Sequence, residues 1–209
     1  MAPFPFAALA GDLHTVTASL RAATVAVETG RRGIGSGVAW DDAGTIVTNA
    51  HVATAERVMI RTSDGRRVAA RVLARDEARD VAVLVPERAL SLGAITPAPL
   101  TTLRPGALVL ALGHPLGIPD AVTTGVLHGL GPAPAFAPLP PHVRARRWLR
   151  ADVALAPGNS GGPLADSAGR LLGLNTMIVG GLALAVPVDD VARFVAAVRG
   201  ADASGAQWW

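Results

Sequence analysis

Cysteine is absent from this chain of 209 residues, which excludes disulfides, a thiolate nucleophile and cysteine-based zinc sites. Lysine is absent as well, so all 19 basic residues are arginine, a pattern that fits GC-rich codon usage or thermal adaptation. The net charge of +3 is too small to imply nucleic-acid binding. No apolar run approaches the ~20 residues of a membrane span. Met1 to Leu13 carries neither a basic n-region nor a continuous apolar stretch, so no secretory signal is read there and a cytoplasmic location is expected. What is present is half hydrophobic, with 23 glycines and 16 prolines. That is enough for one sizeable domain or two small barrels that share an interface.

Residues 1–11, with Pro3, Phe4, Pro5 and Phe6, read as an irregular arm. Behind Asp12 as N-cap, Leu13, Val16 and Leu20 fall at helical spacing and predict a short helix ending near Ala22. β signals follow at Thr24–Glu28, Ile34–Trp40, Thr45–Thr48, Arg57–Thr62, Arg67–Leu73 and Val81–Val85, with Asp-Gly turn chemistry around Gly65. Proline-rich Thr96 to Pro105 divides the chain. A second set follows at Ala107–Leu112, Ala121–Leu130, Arg150–Leu155, Arg170–Val179 and Leu182–Val186, and Gly131 to Pro141 is read as a loop. Val188, Val191, Val195 and Val198 predict a last helix closed by Gly200. The expectation is an all-β fold of two six-stranded antiparallel barrels, over about 23–95 and 106–187, inside a folded unit of 12–200. It carries a short N-terminal helix, a C-terminal helix over about 188–199, and a loose tail over 201–209.

The chemistry centres on Gly158-Asn159-Ser160-Gly161-Gly162-Pro163. Glycine lets the backbone approach closely there, and the amides of Gly158 and Ser160 can converge on a developing oxyanion. The plain alternative is a Gly-Gly turn between strands. The stretch also satisfies the G-x-S-x-G elbow of α/β-hydrolases, in which the histidine follows the serine. All five histidines here (14, 51, 114, 128 and 142) precede Ser160, so that fold would have no base. The order histidine, aspartate, serine remains, and His51, Asp80 and Ser160 supply it, each beside its own β segment. Taken singly, His51 reads as a structural histidine and Asp80 as a strand cap. Asp76 is the rival acid.

Thr-Asn-Ala-His51-Val, Arg-Asp80-Val-Ala-Val-Leu, Leu-Gly-His114-Pro-Leu-Gly and Gly-Asn-Ser160-Gly-Gly-Pro-Leu resemble, in order, the motifs of HtrA/Deg-type trypsin-like serine proteases. The resemblance runs from about Ala22 to Arg199. It implies a chymotrypsin-like double barrel and a serine endopeptidase acting on protein or peptide substrates without a cofactor. Ser160 would be the nucleophile, His51 the general base, Asp80 its orienting acid, and the Gly158 and Ser160 amides the oxyanion hole. Leu155 and Ile178 would line an S1 pocket suited to small or medium aliphatic P1 residues. Ala154 stands where a trypsin-like enzyme has an S1 aspartate, and Asn159 offers no ion pair to a newly cut N-terminus, so activation by cleavage is not expected. Loop ordering around Gly113–Pro119 and Ala156–Asn159 is the expected switch instead.

Within that resemblance no PDZ domain is expected after the last helix, and Phe4 and Phe6 are candidate trimer contacts. Arg144, Arg146, Arg147 and Arg150 read as a solvated flank or an anion-sensing site. A metal at His114 with His128 or His142 lacks supporting ligand spacing. The rival functions are an esterase on the same fold and a catalytically silent barrel pair that binds peptides.

Overall fold

The computed structural model describes the backbone of residues 5–29, 33–115, 118 and 120–204, with burial and side chains described from residue 12 to 201. Helix α1 (Pro5–Ala23) precedes six strands: β1 (Thr24–Thr29), β2 (Gly33–Ala39), β3 (Ile46–Thr48), β4 (Arg57–Arg61), β5 (Arg67–Asp76) and β6 (Val81–Pro86). They close as a barrel in the order β1-β2-β3-β6-β5-β4, with Ala26 opposite Arg61 at the seam between β1 and β4. After a 3-10 turn at Leu100–Thr102 come β7 (Leu108–Gly113), β8 (Ala121–Gly131), the short α2 (Pro141–Arg144), β9 (Trp148–Asp152), β10 (Pro163–Asp166), β11 (Leu171–Val179) and β12 (Leu182–Pro187). These close as β10-β11-β12-β9-β8-β7, and α3 (Val188–Ser204) follows. Every strand pair is antiparallel. The expected pair of six-stranded barrels is the fold.

Closure explains the burial patterns. A sheet curled on itself has no edge strands and buries its inner face. In barrel one that core is built around Val25, Val27, Ile46, Ile60, Ala82 and Leu84; in barrel two, around Val109, Leu127, Leu149, Leu164 and Leu172. A third cluster joins them, with Val38 and Val47 from one barrel, Leu110 and Leu112 from the other, Leu20 of α1, and Trp148. Strand β7 is buried on both faces because it also packs against β1 and β2. Val188, Val191, Val195 and Val198 of α3 enter this shared cluster, as their spacing predicts.

The helices depart from expectation at their ends. Residues 5–11 are helical instead of an irregular arm. Pro5 is suited to the first helical position, and Ala7, Ala8, Leu9 and Ala10 are strong helix formers. Gly200 does not end α3, which runs on to Ser204; Gly200 is not among the left-handed glycines, so it makes no C-cap. Strand β9 starts at Trp148, earlier than expected, and β10 had no counterpart in the sequence reading. Phe4, the side chain of Phe6, and Trp208-Trp209 lie outside the described residues, and with them the proposed trimer contacts and the end of the tail.

Candidate active site

Strand β3 ends at Thr48, and the turn after it presents His51 with half its side-chain surface exposed, 50%. Asp80 closes the β5–β6 connection with φ of 57°, a left-handed conformation that costs a non-glycine residue and persists only where its surroundings hold it. Three contacts do so. His51 Nδ1 lies 2.9 Å from each carboxylate oxygen, and the His51 amide donates to Oδ1 at 3.1 Å. The Asp80 carbonyl accepts from Asn49 Nδ2 at 2.9 Å. A carboxylate accepts only, so Nδ1 carries the proton and Nε2 is left as the basic nitrogen. Asp76, the rival acid, instead accepts from the Arg79 amide at 2.7 Å and pairs with its guanidinium.

Ser160 sits between β9 and β10. Its loop is pressed against the first barrel: a Cβ on Gly161, whose φ is 83°, would fall 2.1 Å from the Ser36 carbonyl oxygen and 2.2 Å from Thr48 Oγ1. Only glycine fits there. Asn49 links the two halves, because its Nδ2 also donates to Thr176 Oγ1 at 3.1 Å, and the Thr176 carbonyl accepts from Ser160 Oγ at 3.0 Å. The serine hydroxyl in this conformation thus points to β11, and no hydrogen bond joins it to His51 among the described residues.

Backbone satisfaction marks out two amides. Asn159 N donates to Ala156 O at 3.0 Å, Gly161 N to Asn175 O at 2.8 Å and Gly162 N to Asn159 O at 3.0 Å. Among the described residues the Gly158 and Ser160 amides have no protein acceptor. Gly158 has φ of 110°, and a Cβ there would lie 2.2 Å from the His114 carbonyl oxygen. Beside these amides opens a cavity of about 290 Å³, walled by Leu155, Pro157, Ser160, Thr176, Met177 and Ile178. Both sequence-predicted S1 residues line it; Ala154 does not, and Ile178 remains 49% exposed at its rim.

Two features were not legible beforehand. Arg146, expected on a solvated flank, lies 4.8 Å over the Trp148 ring and donates to the carbonyls of Ala78 and Arg79. His114 is buried; Ser36 Oγ is 3.2 Å from its Nδ1, and Asp120 Oδ1 is 3.5 Å from its Nε2. Burial holds its pKa below the ordinary imidazole value, against Asp120, which pulls upward, and with Arg61, which adds to the depression. The Gly-Ser-Gly around Ser36 and the Gly-His-Pro around His114 were visible, but nothing local said that they meet.

The family described as "Trypsin-like peptidase domain" matches residues 35–174. The chain belongs to the trypsin-like peptidase family. This trypsin-like domain is 34% identical over 166 residues to the "Periplasmic serine endoprotease DegP" of Escherichia coli, covering 76% of this chain and 34% of that protein. To "Protease Do-like 1, chloroplastic" of Arabidopsis thaliana it is 36% identical over 182 residues, covering 78% and 39%. Among solved structures, "HtrA-type protease AlgW with tripeptide" superposes with a TM-score of 0.79 at 28% identity, over 88% of this chain and 62% of that one. The HtrA/Deg resemblance and the chymotrypsin-like double barrel therefore hold, and the domain spans well under half the length of these curated relatives. Their names place them in periplasm and chloroplast, so the expected cytoplasmic location finds no support. Among the described residues, no helix is long and apolar enough to cross a membrane.

Proposed function

We propose that this domain is a serine endopeptidase of HtrA/Deg type that hydrolyses peptide bonds through an acyl-enzyme. The observation that carries the reading is the His51–Asp80 pair, tied through Asn49 and Thr176 to the loop that holds Ser160 beside two unengaged amides. The Ser160 hydroxyl leaves the Thr176 carbonyl, and His51 Nε2 removes its proton as Oγ attacks the scissile carbonyl. Asp80 holds the imidazole in the required tautomer and stabilises the imidazolium. The Gly158 and Ser160 amides bind the oxyanion; one such donor is worth on the order of 100- to 1000-fold in rate. His51 then protonates the leaving amine, and water, activated by the same nitrogen, releases the acid product.

The cavity walled by Leu155 and Ile178 favours small or medium aliphatic P1 side chains, since it offers no carboxylate to a basic one. Its role in this reading is protein quality control or regulatory proteolysis, and the names of the relatives support serine proteolysis in a periplasmic or chloroplast setting. A second reading, a silent peptide-binding module, draws on the Ser160 Oγ–Thr176 O hydrogen bond.

Fluorophosphonate labelling decides between them, with the site mapped by mass spectrometry and peptide cleavage read alongside. The endopeptidase reading requires stoichiometric modification at Ser160, lost in Ser160→Ala and His51→Ala, together with cleavage of a peptide with valine at P1. A folded wild type that neither labels nor cleaves would leave the binding module.

A further inference from the structure

One residue of the first barrel holds the carbonyls of both residues whose amides find no protein acceptor among the described residues. The Ser36 amide donates to the Ser160 carbonyl at 2.8 Å, and the Ser36 hydroxyl donates to the Gly158 carbonyl at 2.7 Å. Ser36 is fully buried. Its hydroxyl has a single proton, and that proton is directed at Gly158 O, so the oxygen's lone pairs are left to accept. The His114 amide, which also reaches the Gly158 carbonyl at 3.3 Å, donates to it at 3.1 Å, and His114 Nδ1, 3.2 Å away, meets only a lone pair of that oxygen and so acts as a donor in this arrangement. The hydroxyl rotor is thereby locked. The other side of the same peptide is pinned too, because Asn159 N donates to Ala156 O at 3.0 Å.

Ser36, His114 and Asp120 are the residue types of a triad. They do not form a second nucleophilic site, because Ser36 is closed to solvent and its proton is committed to a carbonyl. We propose that Ser36, steered by His114, is a positioning residue for the oxyanion hole: it fixes the Gly158–Asn159 peptide so that the Gly158 and Ser160 amides stay directed into the cleft. This rests on reading those two amides as the oxyanion hole. Gly158 needs such a fixture, since glycine at φ of 110° has alternative conformations of similar energy. Both partners come from outside the serine loop, Ser36 from β2 and His114 from the end of β7.

The test compares Ser36→Ala, His114→Asn and His114→Leu with wild type in three measurements. These are the fluorophosphonate labelling rate at Ser160, kcat and KM on a peptide with valine at P1, and hydrogen exchange of the amides of residues 158–162. Asparagine places its Nδ2 near the position of imidazole Nδ1 and keeps the donor; leucine does not. Loss of alignment forfeits part of the oxyanion contribution. Ser36→Ala and His114→Leu are therefore expected to label and turn over about 10- to 100-fold more slowly, with KM within about twofold and faster exchange at Asn159 and Gly162. His114→Asn is expected to keep the wild-type rates. Ser36→Ala at the wild-type rate overturns the proposal. Should Ser36→Ala fail to fold, the His114 pair decides, and equal rates for asparagine and leucine overturn it. A wild type that does not label at all sinks the endopeptidase reading. Exchange alone then judges this inference: faster exchange in Ser36→Ala upholds it, and unchanged exchange overturns it.

Discussion

Arg146 Nη2 donates to the carbonyl of Arg79 at 2.8 Å, so a side chain from the second barrel grips the residue just before Asp80 on the first. The same guanidinium reaches the Ala78 carbonyl and rests on Trp148, which is wholly buried and donates from Nε1 to Val143 O at 3.0 Å. The turn that forces Asp80 into its left-handed conformation is thus clamped from across the interface. Arg146→Ala is expected to lower kcat/KM by about tenfold, on the scale of one charge-assisted hydrogen bond. Arg146→Lys should not restore it, because a single ammonium cannot span two carbonyls as a planar fork does. Steady-state kinetics on the two variants check this, and equal activity in wild type and Arg146→Ala would refute it.

Asp80→Asn keeps the shape of the acid but adds an amide donor facing His51 Nδ1. The imidazole then favours the tautomer with its proton on Nε2, and Ser160 loses its base. The expected fall in kcat is on the order of 10,000-fold, while KM changes little. Asp76→Asn is the control, since its carboxylate serves Arg79; a comparable loss there would shift the acid's role to Asp76.

Ile178 is half exposed at the mouth of the cavity proposed as S1, and Leu155 lines its wall. Ile178→Ala enlarges the pocket, so selectivity for leucine or phenylalanine over valine at P1 should rise by roughly tenfold, the scale of a methylene or two in an apolar pocket. A profile over a P1 peptide library measures it. No change in preference would place P1 elsewhere.

Burial depresses the pKa of His114 below the ordinary 6.5. Between the lowered folded value and about 6.5, the unfolded chain binds a proton that the folded chain does not. Its contribution to stability is therefore full above about pH 6.5 and is lost as pH falls through that window. Asp120 faces the ring and opposes the shift, Arg61 reinforces it, and Arg21 of α1 is paired to Asp120 at 2.8 Å. Thermal unfolding from pH 7.5 down to 5 should show wild type losing stability more steeply than His114→Asn. Parallel curves would contradict this.

The sequence by itself determined the fold class and the family, and it nominated the order of the candidate catalytic residues. Alternating apolar runs broken by Asp-Gly and Gly-rich turns fix strands locally, because side chains in a strand alternate faces. That every histidine precedes Ser160 excluded the α/β-hydrolase arrangement without any coordinates. Helix ends were less legible: Gly200 in isolation reads as a stop, but in α3 it follows a face of valines already buried against the barrels, and tertiary packing overrides the local signal. The candidate triad, His51, Asp80 and Ser160, could be nominated from motif and order. Only the tertiary structure decided that Asn49 joins Asp80 to Thr176, that Arg146 clamps the acid's turn, and that Ser36 reaches across 122 positions to Gly158. Hydrogen bonds between residues so far apart leave no periodicity or spacing in the chain. They arise when two closed barrels bury polar groups against one another, and each buried donor and acceptor must then find its partner across the interface.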